Sequence, residues 1–331
     1  MKLATLKDGT RDGTLVVVSR DLARAVPATA VAPTLLDAIE RWNDVENPLR
    51  ALAERLEVGD VDGAFTFDAT LVGAPLPRSW QWLDGSVFES HGRLMAAALH
   101  PGKENSYAEH PLVYQGAGDD FLGPCDDVEL PSEDDGIDFE GEIAVVVDAV
   151  PMGTRAAVAE THIKLLMLAN DVSLRVPIRR EIGTGFGFLN AKPSSAFSPV
   201  AATPDELGDA WRDARVHLPL EVKWNGKWFG SPNGREMTFD FRELIEHVTR
   251  SRRLSAGTVI GSGTVSNEDR ATGSACIAER RAIELLDEGS PKTPFMSFGD
   301  TVKIEMLDAD GRSIFGAIEQ RVVQFVPVAA S

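Results

Sequence analysis

Residues 138–147, Asp-Phe-Glu-Gly-Glu-Ile-Ala-Val-Val-Val, constrain the fold more than any other stretch, because two carboxylates lead directly into an apolar, β-branched run. Such a run predicts a strand. Strand side chains alternate between two faces, so Glu140 and Glu142 would point the same way, roughly 7 Å apart at their Cα atoms. Like charges on one face repel each other. We therefore expect either a solvated edge strand or a cation between the two glutamates.

A second acidic position follows another apolar segment. Residues 162–170, His-Ile-Lys-Leu-Leu-Met-Leu-Ala-Asn, predict an apolar helix, and Asp171 comes directly after them. A carboxylate at the end of a buried segment needs a partner, and a metal ion is one candidate. Arg175 stands four residues after Asp171, which is also the spacing of a helical ion pair.

Composition and charge narrow the class of protein. The chain has 331 residues, 43% of them hydrophobic, which is enough for a sizeable core and about two domains. Its two cysteines, Cys125 and Cys276, argue against a disulfide framework or a structural zinc site. No segment has the pattern of a signal peptide or a membrane span. A net charge of −18 argues against nucleic-acid binding. We expect a cytoplasmic protein that binds neither nucleic acid nor membrane.

The first 80 or so residues differ in character from the rest. One short strand and two amphipathic helices are predicted there, at 14–19, 35–42 and 48–56. Pro75 and Pro77 then interrupt regular structure. We therefore predict a small N-terminal α+β domain at 1–82 and a second domain at 83–331.

Strand signals dominate the second part. Asn225-Gly226 is a strong hairpin signal because both residues tolerate positive φ, and Asp308–Gly311 predicts another hairpin. Asp240 and Glu243 have the spacing of a capping box at the start of a helix. The pattern predicts a strand-rich α+β fold with antiparallel sheets.

Four blocks of sequence in this part occur together. They are I-D-F-E-G-E-I-A-V-V at 137–146, L-A-N-D-V-S-L-R at 168–175, N-A-K-P-S-S-A-F-S-P at 190–199 and V-I-G-S-G-T-V-S at 259–266. In order and spacing they resemble the fumarylacetoacetate hydrolase family, from about residue 83 to the end of the chain. The resemblance implies a mixed β-sandwich roll of the fumarylacetoacetase C-terminal type, a small N-terminal domain and a homodimer.

The resemblance also implies a metal site. In that family the carboxylates matching Glu140, Glu142 and Asp171 hold a divalent cation, with Mg²⁺ the first expectation and Ca²⁺ or Mn²⁺ the alternatives. Oxygen-only ligation suits such hard ions. The cation would coordinate a small anionic dicarbonyl or 2-oxo acid, which the net charge of the chain would otherwise repel. Whether Asp84 or Glu89 supplies a fourth carboxylate stays open.

A histidine is expected as general base, because hydrolysis of a carbon–carbon bond requires water to be activated near neutral pH. The six histidines are His91, His100, His110, His162, His217 and His247. We expect His162 and His247 within helices and His217 within a strand, as packed or surface residues. His91 stands where the family places its histidine.

The partner of this base is less fixed by the sequence. Leu94 replaces a glutamate, and Phe88 a tyrosine, that are frequent in the family. Glu279 resembles the acidic partner used by the larger fumarylacetoacetases, so it is the predicted partner of His91. An amphipathic helix edge is the alternative for Glu279.

Four further residues complete the predicted site. Lys192, in a largely apolar setting, would hold a developing enolate or a substrate carboxylate, or pair with the metal carboxylates. Tyr114, Arg175 and Thr264 resemble substrate-binding residues of the family. A buried tyrosine with a satisfied hydroxyl is the alternative for Tyr114.

These assignments predict a metal-dependent hydrolase that cleaves a carbon–carbon bond in a β-diketone or acylpyruvate-type acid. Fumarylacetoacetate, giving fumarate and acetoacetate in tyrosine degradation, is the preferred substrate. A decarboxylase or lyase acting on oxaloacetate, a 2-oxo-enoate or ureidoglycolate is the alternative within the family. A metal-binding protein without turnover is the alternative outside it.

Overall fold

The computed structural model describes residues 1–99 and 109–327, so His100 lies outside the described residues. In those ranges the helices are α1 Leu35–Glu40, α2 Trp42–Val58, α3 Glu89–Leu99, α4 Ala156–Ala159, α5 Arg175–Ile182, α6 Phe241–Val248 and α7 Ile277–Glu288. None of the helices in these ranges combines the length and apolar character needed to cross a membrane.

The strands in the same ranges are short and numerous. They are β1 Lys2–Leu6, β2 Thr14–Val18, β3 Arg24–Pro27, β4 Phe65–Thr66, β5 Trp82–Ser86, β6 Leu112–Gly116, β7 Val128–Leu130, β8 Ile137–Asp138, β9 Gly141–Val147, β10 Ile163–Asn170, β11 Ser173–Leu174, β12 Ala196–Phe197, β13 Ala201–Ala202, β14 Trp211–Arg212, β15 Arg215–Val216, β16 Leu220–Trp224, β17 Lys227–Gly230, β18 Thr258–Gly261, β19 Thr301–Met306 and β20 Ile318–Gln324.

Most strands belong to two sheets. The larger has eleven strands, in the order β4-β3-β2-β1-β13-β10-β9-β18-β5-β6 with β12 paired to β10, and the smaller has the order β17-β16-β19-β20-β7. Most neighbours are antiparallel, whereas β18 with β5 and β20 with β7 are parallel pairs. The predicted strand-rich α+β class with mixed sheets is confirmed.

Two apolar layers flank the larger sheet. Val145 and Leu166 on one face share a core with Ile304 of the smaller sheet. Leu165 on the opposite face shares a second core with Leu49 of α2. The order of layers is therefore α1 with α2, large sheet, small sheet, and the central strands of the large sheet are buried on both sides.

The helix predicted at residues 162–170 is wrong, because this segment forms β10. It pairs with β9 in an antiparallel ladder from Ile163 to Asn170. Successive side chains such as Leu165 and Leu166 enter opposite cores, so the sequence shows no alternation of apolar and polar residues. A short continuous apolar run does not distinguish a strand buried on both faces from a buried helix.

This correction changes the setting of several predicted residues. Asp171 follows a strand and Arg175 begins α5, so they do not share a helix and the helical ion pair is wrong. His162 ends a short 3₁₀ turn before β10, and His217 lies just beyond β15 and not within a strand. His247 lies in α6, as predicted.

The N-terminal region contributes strands to the large sheet. β1 pairs with β2 on one side and with β13 on the other, with Lys2 opposite Ala202 and Leu3 opposite Ala201. The predicted strand and both predicted helices of this region are present, although α2 begins at Trp42 and continues through Pro48. The sheet is continuous across the proposed boundary at residue 82, and the division into two domains stays a prediction.

Local signals in the second part have the predicted geometry. Asp240 forms a capping box with Glu243 at the start of α6. Asn225 and Gly226 have positive φ angles of 50° and 72° and connect β16 to β17. The Asp308–Gly311 turn follows β19, although β20 begins only at Ile318.

Candidate functional site

Three buried carboxylates meet across neighbouring strands of the large sheet. They belong to Asp84 in β5, Glu142 in β9 and Asp171 after β10, and one oxygen of each lies within 4.8 Å of the others. The sheet order β10-β9-β18-β5 brings these chain segments together. Within the residues that the structure describes, this is the acidic cluster with the spacing of a metal site.

One carboxylate of the cluster, that of Glu142, lacks the partners that a buried charge requires. Neither oxygen of Glu142 accepts a hydrogen bond from a donor in the described residues. Burial, and then the charge of Asp84, raises the pKa of Glu142 well above its ordinary value, and burial with the charge of Asp171 does the same to the pKa of Asp84. Unpaired buried carboxylates are costly, and a hard divalent cation would satisfy them with oxygen ligands. The residues therefore fit a divalent metal ion.

Donor groups orient the third carboxylate of the cluster. The Tyr114 hydroxyl donates to Asp171 Oδ2 at 2.7 Å, and the Ser195 hydroxyl donates to Oδ1 at 2.7 Å. The Lys192 ammonium forms an ion pair with the same carboxylate. Burial, and then the charge of Asp171, raises the pKa of Tyr114 well above its ordinary value. Tyr114 is thus a neutral donor in this site.

Glu140 lies beside the cluster but has different partners. Its carboxylate pairs with Arg175 at 2.6 Å and with Lys192 at 3.1 Å, and it accepts a hydrogen bond from Ser173 at 3.0 Å. Burial alone would raise the pKa of Glu140, but the charges of Lys192 and Arg175 outweigh burial and hold that pKa below its usual range. Conversely, Asp171 and Glu140 raise the pKa of Lys192 although burial opposes this.

The predicted ligands are thus divided between two settings. Glu142 and Asp171 meet in the cluster, and Glu140 adjoins it with two cationic partners. Of the two candidates for a fourth carboxylate, Asp84 is in the cluster, whereas Glu89 pairs with the exposed Arg93 at 2.9 Å.

His91 and Glu279 come together from two packed helices, α3 and α7. His91 Nδ1 lies 2.8 Å from Glu279 Oε2, and the carboxylate of Glu279 is buried. Because Nδ1 is engaged, Nε2 is the nitrogen of His91 left for water or substrate. Glu140 also forms a backbone bridge with Cys276, the residue directly before α7. The two predicted catalytic residues therefore lie together at the edge of the carboxylate site.

A closed loop positions Lys192. The Glu181 carboxylate at the end of α5 accepts the backbone N–H groups of Leu189, Asn190 and Ala191 at 2.8, 2.9 and 3.1 Å. Within this loop the ring of Phe188 packs edge-on against Tyr114, with 5.2 Å between centroids. The loop therefore fixes both the lysine and one side of the tyrosine.

The turn after β18 contacts the cluster from the other side. The Gly263 N–H donates to Asp84 Oδ1 at 3.0 Å, and Thr264 is buried next to it. Gly263 has a φ of 76°, and a Cβ there would lie 2.3 Å from the carbonyl oxygen of Gly85. Only glycine permits this approach. The substrate-binding role of Thr264 stays a prediction.

Arg175 is the predicted site residue whose surroundings differ most from expectation. Its Nε donates to Asp138 at 2.7 Å while its terminal nitrogen pairs with Glu140. The guanidinium is therefore already held by two carboxylates. Asp138 and Ser195 are absent from the predicted site, although Asp138 continues the alternate-residue spacing of Glu140 and Glu142.

Comparison with protein families identifies the group to which this site belongs. Residues 81–323 match the family model described as fumarylacetoacetate (FAA) hydrolase C-terminal. The chain belongs to the fumarylacetoacetate hydrolase family. Residues 1–78 match a second model of that family, described as fumarylacetoacetase N-terminal domain 2. The resemblance drawn from the four sequence blocks is confirmed.

Several curated proteins are similar to parts of the chain. The oxaloacetate tautomerase YisK of Bacillus subtilis is 26% identical over 241 residues, which cover 70% of this chain and 75% of that protein. A mitochondrial oxaloacetate tautomerase of Homo sapiens is 28% identical over 159 residues, 47% of this chain and 48% of that protein. The chain spans about half the length of this human relative.

Solved structures share the fold along nearly the whole chain. A fumarylacetoacetate hydrolase from Exiguobacterium antarcticum has a TM-score of 0.68 at 20% identity, covering 98% of this chain and all of the other. Maleylpyruvate hydrolase from Sphingobium sp. SYK-6, in complex with manganese(II) and pyruvate, has a TM-score of 0.66 at 17% identity with the same coverage. At these identities the likeness shows the fold alone, and it agrees with the predicted fold class.

Proposed function

We propose that this chain is a metal-dependent enzyme that hydrolyses a carbon–carbon bond in an acylpyruvate-type 2-oxo acid. One observation carries the proposal: a buried carboxylate cluster that includes the unpartnered Glu142 lies beside an oriented histidine–glutamate pair. The cluster alone would support a metal-binding protein without turnover. The pairing of His91 with Glu279 supports proton transfer in addition.

Asp84, Glu142 and Asp171 would hold the cation, with Glu140 next to them. Mg²⁺ is the preferred ion, and Ca²⁺ or Mn²⁺ are the alternatives, since all three accept oxygen ligands. When bound, the cation would supply a Lewis acid that attracts the two neighbouring oxygens of the substrate and stabilises an enolate.

His91 is the proposed general base. Its Nε2 removes a proton from water while Glu279 holds Nδ1 and stabilises the imidazolium that results. The hydroxide formed attacks the substrate carbonyl and becomes part of a new carboxyl group. The electron pair of the broken carbon–carbon bond stays on the departing carbon as an enolate, which then takes up the proton.

Lys192 is the proposed partner of that enolate or of the substrate carboxylate, because its ammonium is fixed and charged at the edge of the cluster. Tyr114 and Thr264 are proposed substrate contacts, and the resemblance adds Arg175. A homodimer is likewise proposed from the resemblance.

Fumarylacetoacetate is the preferred substrate, which would place the enzyme in tyrosine degradation or another aromatic catabolic route. The family, whose matching model is described by fumarylacetoacetate hydrolysis, supports this choice. The decarboxylase and lyase alternative gains no support from these relatives.

A tautomerase of a small 2-oxo acid such as oxaloacetate is the second candidate. The curated relatives carry this activity in their names. The His91–Glu279 pair could move a proton between carbon and oxygen without any attack by water, so the same residues would serve this reaction.

An isotope experiment distinguishes the two candidates. The purified protein with MgCl₂ is given fumarylacetoacetate, simple acylpyruvates and oxaloacetate, and the loss of enol absorbance is followed. In H₂¹⁸O, hydrolysis places ¹⁸O in a product carboxylate, whereas tautomerisation gives faster enol decay with no cleaved product. If the protein binds metal but no substrate reacts faster than in a control without the protein, both candidates are wrong.

A further inference from the structure

Asp138 is a fully buried carboxylate that contacts the start of the helix carrying Glu279. Its Oδ1 accepts the backbone N–H of Ile277 at 2.7 Å, and its Oδ2 accepts the N–H of Ala278 at 2.8 Å. These are the first two residues of α7, and Glu279 is the third. Asp138, in β8, therefore caps α7 from outside the helix. The two capped residues directly precede Glu279, which holds His91.

The helix needs this external cap because its own capping residue is a weak one. Cys276 occupies the N-cap position, and its sulfur is 3.3 Å from the backbone nitrogen of Glu279. A thiol is a poor hydrogen-bond acceptor compared with the serine, threonine or aspartate usual at this position. Both oxygens of Asp138 thus satisfy N–H groups that the chain leaves unpaired locally.

Asp138 is also linked to the metal-site strand through Arg175. The guanidinium donates from Nε to Asp138 Oδ2 at 2.7 Å, and its terminal nitrogen lies 2.6 Å from Glu140 Oε1. A backbone bond runs parallel to this link, from Gly141 N to the carbonyl of Ala275 at 2.9 Å. The chain of contacts is thus helix start, Asp138, Arg175, Glu140.

We propose that Asp138, acting with Arg175, is a positioning residue that holds Glu279, and through it His91, in register with the metal-site carboxylates. The inference rests on the proposed function and adds a residue to it. Asp138 touches neither base nor substrate in this account. It fixes the start of α7 relative to Glu140, and a shift of about 1 Å at a catalytic group is enough to cost on the order of 10²-fold in rate.

The charge of Asp138 is essential to this arrangement. The two helix N–H groups and the guanidinium donate to both side-chain oxygens of Asp138. An asparagine at this position has only one acceptor oxygen. Its amide N–H₂ would face either the helix N–H groups or Arg175, which are donors too. Asp138→Asn therefore frees the start of α7 while nearly preserving the volume of the side chain.

The test compares Asp138→Asn with Asp240→Asn. Asp240 is also buried, caps α6 and pairs with Arg242 and Arg215, and these partners lie outside the candidate site. Both variants should lose similar thermal stability. Only Asp138→Asn should lose turnover, by roughly 10²-fold, with KM and Mn²⁺ affinity little changed. Equal turnover in the two variants would overturn the inference.

A double-variant cycle tests whether Asp138 acts through Glu279. If it does, adding Asp138→Asn to Glu279→Gln should lower kcat little further, because the group being positioned is already impaired. Full additivity of the two losses would show a general structural role and overturn the proposal.

A spectroscopic measurement keeps the inference testable without turnover. In protein labelled with ¹⁵N-histidine, the Nδ1–H signal of His91, assigned by its loss in His91→Asn, should exchange faster in Asp138→Asn than in the parent and in Asp240→Asn. An unchanged His91 signal in Asp138→Asn overturns the inference, whether or not the parent is active. Absence of activity in the parent would count against the proposed function and not against this inference. If Asp138→Asn does not fold, Arg175→Lys, whose side chain is too short to span both carboxylates, replaces it in the His91 Nδ1–H measurement alone, with the same expected and contradicting results for that signal.

Discussion

Buried carboxylates are costly, and one short segment of this chain carries three of them at alternate positions. Asp138 accepts helix N–H groups, Glu140 pairs with Lys192 and Arg175, and Glu142 has no donor partner. The three carboxylates are therefore stabilised to different extents: Asp138 and Glu140 by donors and cations, and Glu142 by neither. Glu142 is the one that a cation would stabilise most, because nothing else in the described residues does so.

Glu142→Gln should lower the affinity for Mg²⁺ or Mn²⁺ by roughly 100-fold or more. This is larger than the usual effect of changing a residue that only hydrogen-bonds to a metal ligand. The metal-free variant should be at least as stable as the parent, since one of three mutually repelling charges is gone. Isothermal titration calorimetry and a melting curve without metal measure both effects. Glu89→Gln, outside the cluster, is the control, and parental affinity in Glu142→Gln would contradict the metal assignment.

His91→Ala should lower turnover by roughly 10²-fold or more while leaving Mn²⁺ and pyruvate affinity nearly unchanged, because a general base acts on water and does not ligate the ion. His162→Ala is a matched control, since His162 Nδ1 also lies against a carboxylate, that of Asp148 at 2.6 Å. Steady-state kinetics and calorimetry give the two readouts. Parental turnover in His91→Ala would place the base elsewhere.

At this scale the sequence predicts identities better than partners. His91 and Glu279 were assigned from a resemblance, and the structure brings them within hydrogen-bond distance. Strand alternation places Glu140 and Glu142 on one face but does not show that Glu140 pairs with Lys192 and Arg175 while Glu142 lacks a donor. Asp84 could be left only as an option, since its partners come from strands that are distant in sequence.

At the scale of elements, signals within a few residues predict well, and patterns that depend on burial predict less well. The capping box at Asp240 and the Asn225-Gly226 turn need only their own neighbours. The continuous apolar sequence of β10 is compatible with a strand only because both of its faces are buried, one in each core. A window of sequence contains no information about a second layer, so the helix predicted there was wrong.

The turn after β18 allows a test of an element and the site together. Gly263→Ala should destabilise the fold by roughly 1–3 kcal/mol and weaken metal binding, because the added Cβ would push away the strand that carries Asp84. Gly226→Ala has the same sign of φ, 72°, but no atom within 4 Å of the new Cβ. Denaturant curves and calorimetry should therefore show loss of stability in both variants and loss of metal affinity only in Gly263→Ala. Equal metal affinity would contradict the close packing.

At the scale of the whole molecule, Lys2 joins distant parts of the chain. Its ammonium donates to the carbonyls of Arg20 at 2.8 Å and Ser313 at 3.3 Å. Burial is the largest influence and lowers the pKa of Lys2 from 10.5 to about 8. The folded protein thus contains a lysine that releases its proton more easily than the unfolded chain does.

Stability should therefore rise with pH between about 8 and 10.5, because the unfolded state binds more protons than the folded state in that window. The contribution is up to about 3 kcal/mol, the equivalent of the shift in pKa. Urea unfolding at several pH values should show this slope in the parent and not in Lys2→Met. Lys227→Met, at an exposed position, is the control, and an identical slope in all three proteins would contradict the assignment.

The pairing of β1 with β13 has a consequence for anyone who builds chimeras within the family. Exchanging the N-terminal region between relatives would replace the four strands at one end of a continuous sheet, and not attach a separate module. The donor segment must place its residues opposite Ala201 and Ala202 in the present register. A slip of one residue would turn Leu3 from one face of the sheet to the other. Crossover points are best chosen by strand register, and the length of the linker between the two matched regions matters less.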